Sequence, residues 1–332
     1  MAQPFVAIEA RDLVQMTFKP TRWFAERLLG TGCYVVASKP KLGKSIAMLQ
    51  LGAAVSAGQP FLDHFETVKS GVCALILEDG NERAQKRLWN IGDEFESGFR
   101  IVERAERIDT GLFEQIEADV IENPETGVYI LDTLAAIRPP GAEYSFQTDY
   151  EITRTLADLA TRLGICIVLI HHCRKSVGFG DAFDNISGTN GLTAGATGMI
   201  VMADDPRNPG QVIMSIKGKD VESAAYRLEL KGTKWSLIAE LSPHELRTNA
   251  IPECILAIIG WMKESSQISW SGSTTELLEA ARIERISRIA LGKKLAQFSD
   301  YMASEGVHCR SAHTRKGTVV TLEVAKDDSP DN

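Results

Sequence analysis

Gly43, Lys44 and Ser45 stand at the junction of an apolar run, CYVVAS from Cys33, and an amphipathic stretch that reaches Ala57. A tight loop between a strand and a helix is a place where backbone N–H groups and the positive end of the helix dipole hold phosphate. In the GxxxxGK[ST] spacing the lysine meets the β and γ oxygens and the hydroxyl ligates Mg²⁺. Those roles fall to Lys44 and Ser45, and the gripping segment is Ser38, Lys39, Pro40, Lys41, Leu42, Gly43, Lys44, Ser45 and Ile46. Ser38 replaces the first glycine of the spacing, so a turn there would be made by a residue with a Cβ. ATP and Mg²⁺ are the expected ligands.

A phosphate loop of this kind needs a carboxylate at the end of a hydrophobic strand to hold the metal and its water shell, and GVYILDTL supplies Asp132. The run ALILEDGNER ends in Glu78 and Asp79. Glu78 is the candidate general base for the water that attacks the γ-phosphate, while Asp79 suits the cap of a helix beginning near Asn81. GICIVLIHHCRK ends in His171 and His172, where a polar side chain could sense the γ-phosphate. Adjacent residues of a strand point to opposite faces, so the two do not share a metal.

Positioning these groups takes a sheet. Continuous apolar runs at 33, 71, 127, 164, 198 and 211 predict strands covered on both faces, hence a largely parallel arrangement. Between them, helical spacing predicts helices over Ser45–Ala57, Asn81–Trp89, Gly111–Ile121 and Tyr150–Leu163. The alternation implies an α/β domain over 31–245, preceded by a lead-in segment, 1–30, that packs on the core or on a neighbouring copy. A smaller unit follows over 252–326, and an acidic, disordered tail closes the chain at 327–332.

The chain has 332 residues, a hydrophobic content of 44% and a formal charge of −8, which exclude a disordered or uniformly basic protein. Its longest apolar stretches fall short of the roughly 20 residues of a bilayer span, no signal-like start is present, and the cytoplasm is the expected location. The six cysteines lack ligand spacing and read as reduced thiols. Charge is uneven: residues 282–316 hold eight Lys/Arg against three acids, a candidate basic face.

Taken in order, SKPKLGKS, ALILEDGNERAQKRL, YILDTL, LIHHCRKS, DNISGTNGL and SIKGKDVE resemble the blocks of RecA-like ATPases of plasmids, phages and integrated elements, typified by the hexameric RepA-type replicative helicases. The resemblance implies a homo-oligomeric ring, a hexamer by preference, with ATP sites between subunits, Glu78 as base, Asp132 on Mg²⁺ and His172 as sensor. It makes Lys217 and Lys219 a pair that reaches a neighbour's γ-phosphate, where lysine replaces the family's arginine. It also turns two loops toward single-stranded DNA: one carrying Arg138 and Tyr144, the other Arg174, Lys175 and Phe179, a mixture of charge and stacking surface. Ordinary solvated loops are the alternative. The final unit resembles a winged helix, with a recognition helix near Ser287–Ser304 bearing Arg288, Lys293 and Lys294, and Arg310, Arg315 and Lys316 on the wing, for duplex DNA. The implied function is an ATP-driven DNA helicase of a mobile element in replication or repair. The alternative is an ATP-switched loader or regulator that does not unwind; a metabolic kinase leaves the histidines and the final unit without a role.

Overall fold

The computed structural model describes residues 6–17, 20–142, 145–172, 191–265, 268–284, 286–314 and 317–325. The chain divides into two compact units, residues 1–204 with 210–240, and residues 205–209 with 241–332.

In the first unit a short ribbon, β1 (Trp23–Ala25) and β2 (Leu29–Gly30), precedes the strands β3 (Gly32–Ser38), β4 (Gly71–Ile76), β5 (Phe99–Val102), β6 (Thr126–Asp132), β7 (Cys166–His172), β8 (Gly198–Asp204), β9 (Gln211–Gly218), β10 (Ala224–Lys231) and β11 (Lys234–Glu240). These form one nine-stranded sheet in the order β11-β10-β9-β8-β3-β7-β6-β4-β5. Every pair from β8 to β5 is parallel, while β8 through β11 run antiparallel. The fold is therefore α/β with a mostly parallel sheet.

Two separate apolar cores explain the unbroken apolar runs. Along β3, Tyr34 and Val36 enter one core with Met48, Leu51 and Val55 of the helix Lys44–Ala57. Cys33, Val35 and Ala37 enter the other, with Leu156 and Ala160 of the helix Phe146–Leu163. Successive strand residues point to opposite faces, so a strand sandwiched by helices must be apolar throughout. That second helix starts earlier than its apolar spacing indicates because Ser145 caps it, accepting from Thr148 N at 3.2 Å. The lead-in segment has two parts: Phe24, Ala25, Leu28 and Leu29 are fully buried, whereas Val6 and Val14 beside the short helix Ala10–Leu13 are exposed.

The second unit runs helices Pro243–Ala250 and Glu253–Glu264, strand β12 (Ser269–Ser273), helices Thr274–Ala280, Arg288–Gln297 and Ser299–Ser304, then the hairpin β13 (Val307–Thr314) and β14 (Gly317–Val324). Its sheet order is β12-β14-β13, over a core of Ile255, Ile258, Leu277, Leu291, Leu295 and Leu322. The basic segment expected as one helix near 287–304 is two, broken at Phe298 (φ −110°, ψ 17°). Among the described residues no helix is long and apolar enough to cross a membrane.

Candidate functional site

Parallel pairing puts the carboxyl ends of β3, β7, β6 and β4 side by side, and each delivers one chemical group there. Ser38 pairs with His172, and Asp132 with Ile76 just before Glu78. The loop after β3 is turned not at Ser38, as its place in the motif suggested, but at Lys41 (φ 67°) and Gly43 (φ 92°). Ser38 stays extended because β7 and β8 hold it on both sides, so its Cβ costs the loop nothing.

Gly43 is required twice over. It lies in the left-handed region, and a Cβ there would come within 2.9 Å of the Trp235 ring. Trp235 on β11 donates Nε1–H to Gly43 O at 3.1 Å, and its backbone is held by both ends of the Gln50 amide at 2.9 and 3.0 Å. Lys39 forms an ion pair with Asp204 at the end of β8, and Leu42 and Ile46 pack against the first core. The sequence offered no signal for Trp235 or Asp204 as supports of the loop, since each is distant in the chain.

Lys44 is buried. Its Nζ donates to Ser38 O at 3.1 Å, Ser38 Oγ at 3.0 Å, Lys39 O at 3.3 Å and His172 Nδ1 at 3.0 Å. The last bond requires Nδ1 without a proton. Burial first, and then the Lys44 charge, hold the imidazole below its usual range against the opposite pull of Glu78 and Asp132. The lysine thus rests on acceptors of its own chain.

Asp132 is 7% exposed. Burial pushes its carboxyl up, and a hydrogen bond from Ser45 and the Arg87 charge partly oppose that. A hydroxyl and a carboxylate that stabilise each other are oxygen donors of the kind Mg²⁺ takes, so the residues fit the metal. Thr133, fully buried, donates to Glu78 Oε1 at 2.7 Å and fixes the direction of an otherwise exposed carboxylate.

Asp79 does not cap the helix Asn81–Trp89, whose N-cap is Gly80 without a side-chain bond. It accepts instead from Arg83 at 3.0 Å and pairs with Arg87, because a residue just before a helix faces the side chains of its first turns. Arg138 also departs from expectation. Rather than offering charge to nucleic acid, it is 5% exposed and paired with buried Asp149. A guanidinium folded onto the helix that follows leaves its loop without that cation.

Lys217 and Lys219 are exposed. They lie at the amino edge of the sheet, since Met199 near the start of β8 pairs with Lys217, whereas Asp204 at its end faces the loop after β3. They therefore stand at the opposite edge from the phosphate loop of their own chain. Arg288, Lys293 and Arg310 are exposed in the second unit and Lys294 is half-buried. Tyr144, Arg174, Lys175, Phe179, Arg315 and Lys316 lie outside the described residues.

A family model described as an AAA domain matches residues 3–178. The chain belongs to this AAA-domain family. Solved structures with a similar backbone include the ATPase domain of G40P, at 15% identity and a TM-score of 0.49, covering 63% of this chain and 85% of that one. Another is a DnaB-like replicative helicase described with its interactions with primase, at 14% identity and a TM-score of 0.49, covering 65% of this chain and 60% of that one. No curated protein matches the sequence. The loop, Lys44, Ser45 and Asp132 all lie within the residues matched by the AAA-domain family.

Proposed function

We propose that the chain is an ATP-driven DNA motor, a ring-forming helicase of a mobile genetic element that acts in replication or repair, with a hexamer as the favoured assembly. The observation that carries the reading is the convergence of Lys44, Ser45, Glu78, Asp132 and His172 at adjoining strand ends. Lys44 binds and orients the phosphates, and Ser45 and Asp132 would hold Mg²⁺, which supplies charge neutralisation when bound. Glu78, aimed by Thr133, accepts the proton of the attacking water. His172, bonded to Lys44 at rest, reports loss of the γ-phosphate to the segment that follows it.

Lys217 and Lys219 sit too far along the sheet to serve their own site, which supports their action on a neighbour's γ-phosphate as charged stabilisers. The short strand β12, the three helices after it and the closing hairpin of the second unit support a winged-helix reading, and we infer that Arg288, Lys293, Lys294 and Arg310 meet the phosphates of duplex DNA there. Tyr144, Arg174, Lys175 and Phe179 belong by the same reading to the loops facing single strands. The exposed basic residues equally support a second reading, an ATP-switched loader or regulator that binds DNA without unwinding it.

The test is ATP turnover with and without single-stranded DNA, joined to unwinding of a forked duplex. Lys44→Ala is expected to abolish hydrolysis, while Glu78→Gln keeps ATP binding and stops turnover. Turnover that ignores DNA, in a protein that remains a monomer by light scattering, removes the motor. Stimulated turnover without unwinding selects the loader.

A further inference from the structure

Arg87 lies on the helix Asn81–Trp89, outside the groups that the phosphate loop requires, yet it bridges two carboxylates of the site. One of its terminal nitrogens pairs with Asp79 Oδ2. The other, Nη1, points at Asp132 Oδ2 from 3.8 Å. That nitrogen is buried and has no hydrogen-bond partner among the described residues. The separation is too long for a hydrogen bond and short enough for strong attraction between opposite charges.

A simple surface pair does not explain this arrangement. Arg83, exposed and four residues earlier, already satisfies Asp79 at 3.0 Å, so a second guanidinium adds little to that carboxylate. Its side chain is 26% exposed, against 74% for Arg83. Burying an N–H with no acceptor is unfavourable, and the group it faces across the gap is the carboxylate that Ser45 also holds.

We propose that Arg87 is a positioning residue for Mg²⁺ binding: anchored by Asp79, it holds the Asp132 carboxylate in place beside Ser45 before the metal arrives. The inference rests on the nucleotide site described above and acts through Asp132 rather than through the phosphates. With no cation present, Arg87 offsets the charge of a buried carboxylate and restrains its rotation. The fork is essential to this, because a lysine ammonium has no second arm to reach both carboxylates in fixed geometry.

The experiment uses the full chain with a fluorescent ATP analogue, whose binding is followed by anisotropy over a Mg²⁺ titration and again in EDTA. Arg87→Met keeps the length of the side chain and removes its charge; Arg87→Lys keeps the charge and removes the fork. Loss of a group that orients a metal-ligating carboxylate is expected to raise the Mg²⁺ concentration at half-saturation by about tenfold in Arg87→Met and by less in Arg87→Lys. Binding in EDTA is expected to stay at the wild-type level in both. Mg²⁺ curves for both variants that superimpose on the wild type overturn the proposal. So does an equal loss with and without Mg²⁺ in a variant whose thermal unfolding matches the wild type, since Arg87 would then touch the nucleotide itself. If Arg87→Met does not fold, Arg87→Lys alone decides between these results. A wild-type chain that binds the analogue neither with Mg²⁺ nor in EDTA overturns the nucleotide reading itself, a result distinct from any change confined to the variants.

Discussion

Replacing Ser38 by glycine, the residue that the GxxxxGK[ST] spacing has at this place, is expected to tighten ATP binding. The substitution removes an oxygen that accepts from Lys44 Nζ at 3.0 Å and donates to Lys39 O at 2.8 Å. It does not help the loop turn, because Ser38 is extended between β7 and β8 and the left-handed positions are Lys41 and Gly43. Its effect on binding therefore comes from the resting lysine. A hydrogen bond to a charged group contributes about 1.5–3 kcal/mol. Ser38 O, Lys39 O and His172 Nδ1 still accept from Nζ, at 3.1, 3.3 and 3.0 Å. Partial compensation by them leaves a loss of about 1 kcal/mol from the ligand-free state, or about fivefold in Kd. Glycine in a strand interior also lowers global stability by about 0.5–1 kcal/mol, which thermal unfolding reads separately. Calorimetric titration with ATP and Mg²⁺ supplies the affinity. A folded Ser38→Gly protein that binds ATP as weakly as the wild type, or more weakly, refutes the view that Ser38 holds Lys44 in its resting place.

The His172 imidazole is held below its ordinary value of about 6.5, so the folded chain takes up this proton later than the unfolded chain. Stability is thus unaffected above that value and falls as the pH drops from it through the folded value, a slope that urea unfolding at pH 7.5 and 5.5 is expected to find reduced in His172→Ala. Trp235→Phe removes the donor to Gly43 O, which still accepts from Ala47 N at 3.0 Å. Denaturant unfolding should show a loss near 1 kcal/mol, against about 3–5 kcal/mol for the cavity left by Trp235→Ala; a Trp235→Phe protein as stable as the wild type would show that the hydrogen bond contributes nothing. In the second unit, Lys293→Ala and Arg310→Ala are each expected to weaken duplex DNA binding and to reduce its salt slope by about 1. Unchanged affinity at low and high salt would remove DNA from that face.

Much of the fold was legible because burial on both faces leaves a one-dimensional trace. The runs at 33, 71, 127, 164, 198 and 211 are all strands of the main sheet, since a strand between two helical layers has no polar side to show. β10 and β11 escaped notice for the complementary reason. They are only partly buried, and polar residues interrupt the apolar signal. Asp132 at a strand end and Lys44 after a turn were likewise readable, because their chemistry depends on neighbours in sequence. Contacts across the chain were not. Glu78 is fixed by Thr133, 55 positions away, Lys44 meets His172 across 128, and Gly43 meets Trp235 across 192.

Arg138 and Arg87 mark the division. Both are arginines close to motif residues, and nothing in their sequence surroundings tells which of them faces solvent. Packing decided it: Arg138 folds onto buried Asp149, and Arg87 spans Asp79 and Asp132. The sequence by itself determined the layered sheet and the groups at its carboxyl edge, because both follow from local hydrophobicity and short spacing. Only the tertiary structure decided which charges pair and which oxygens hold the lysine at rest, because those contacts depend on how distant strands and helices come together.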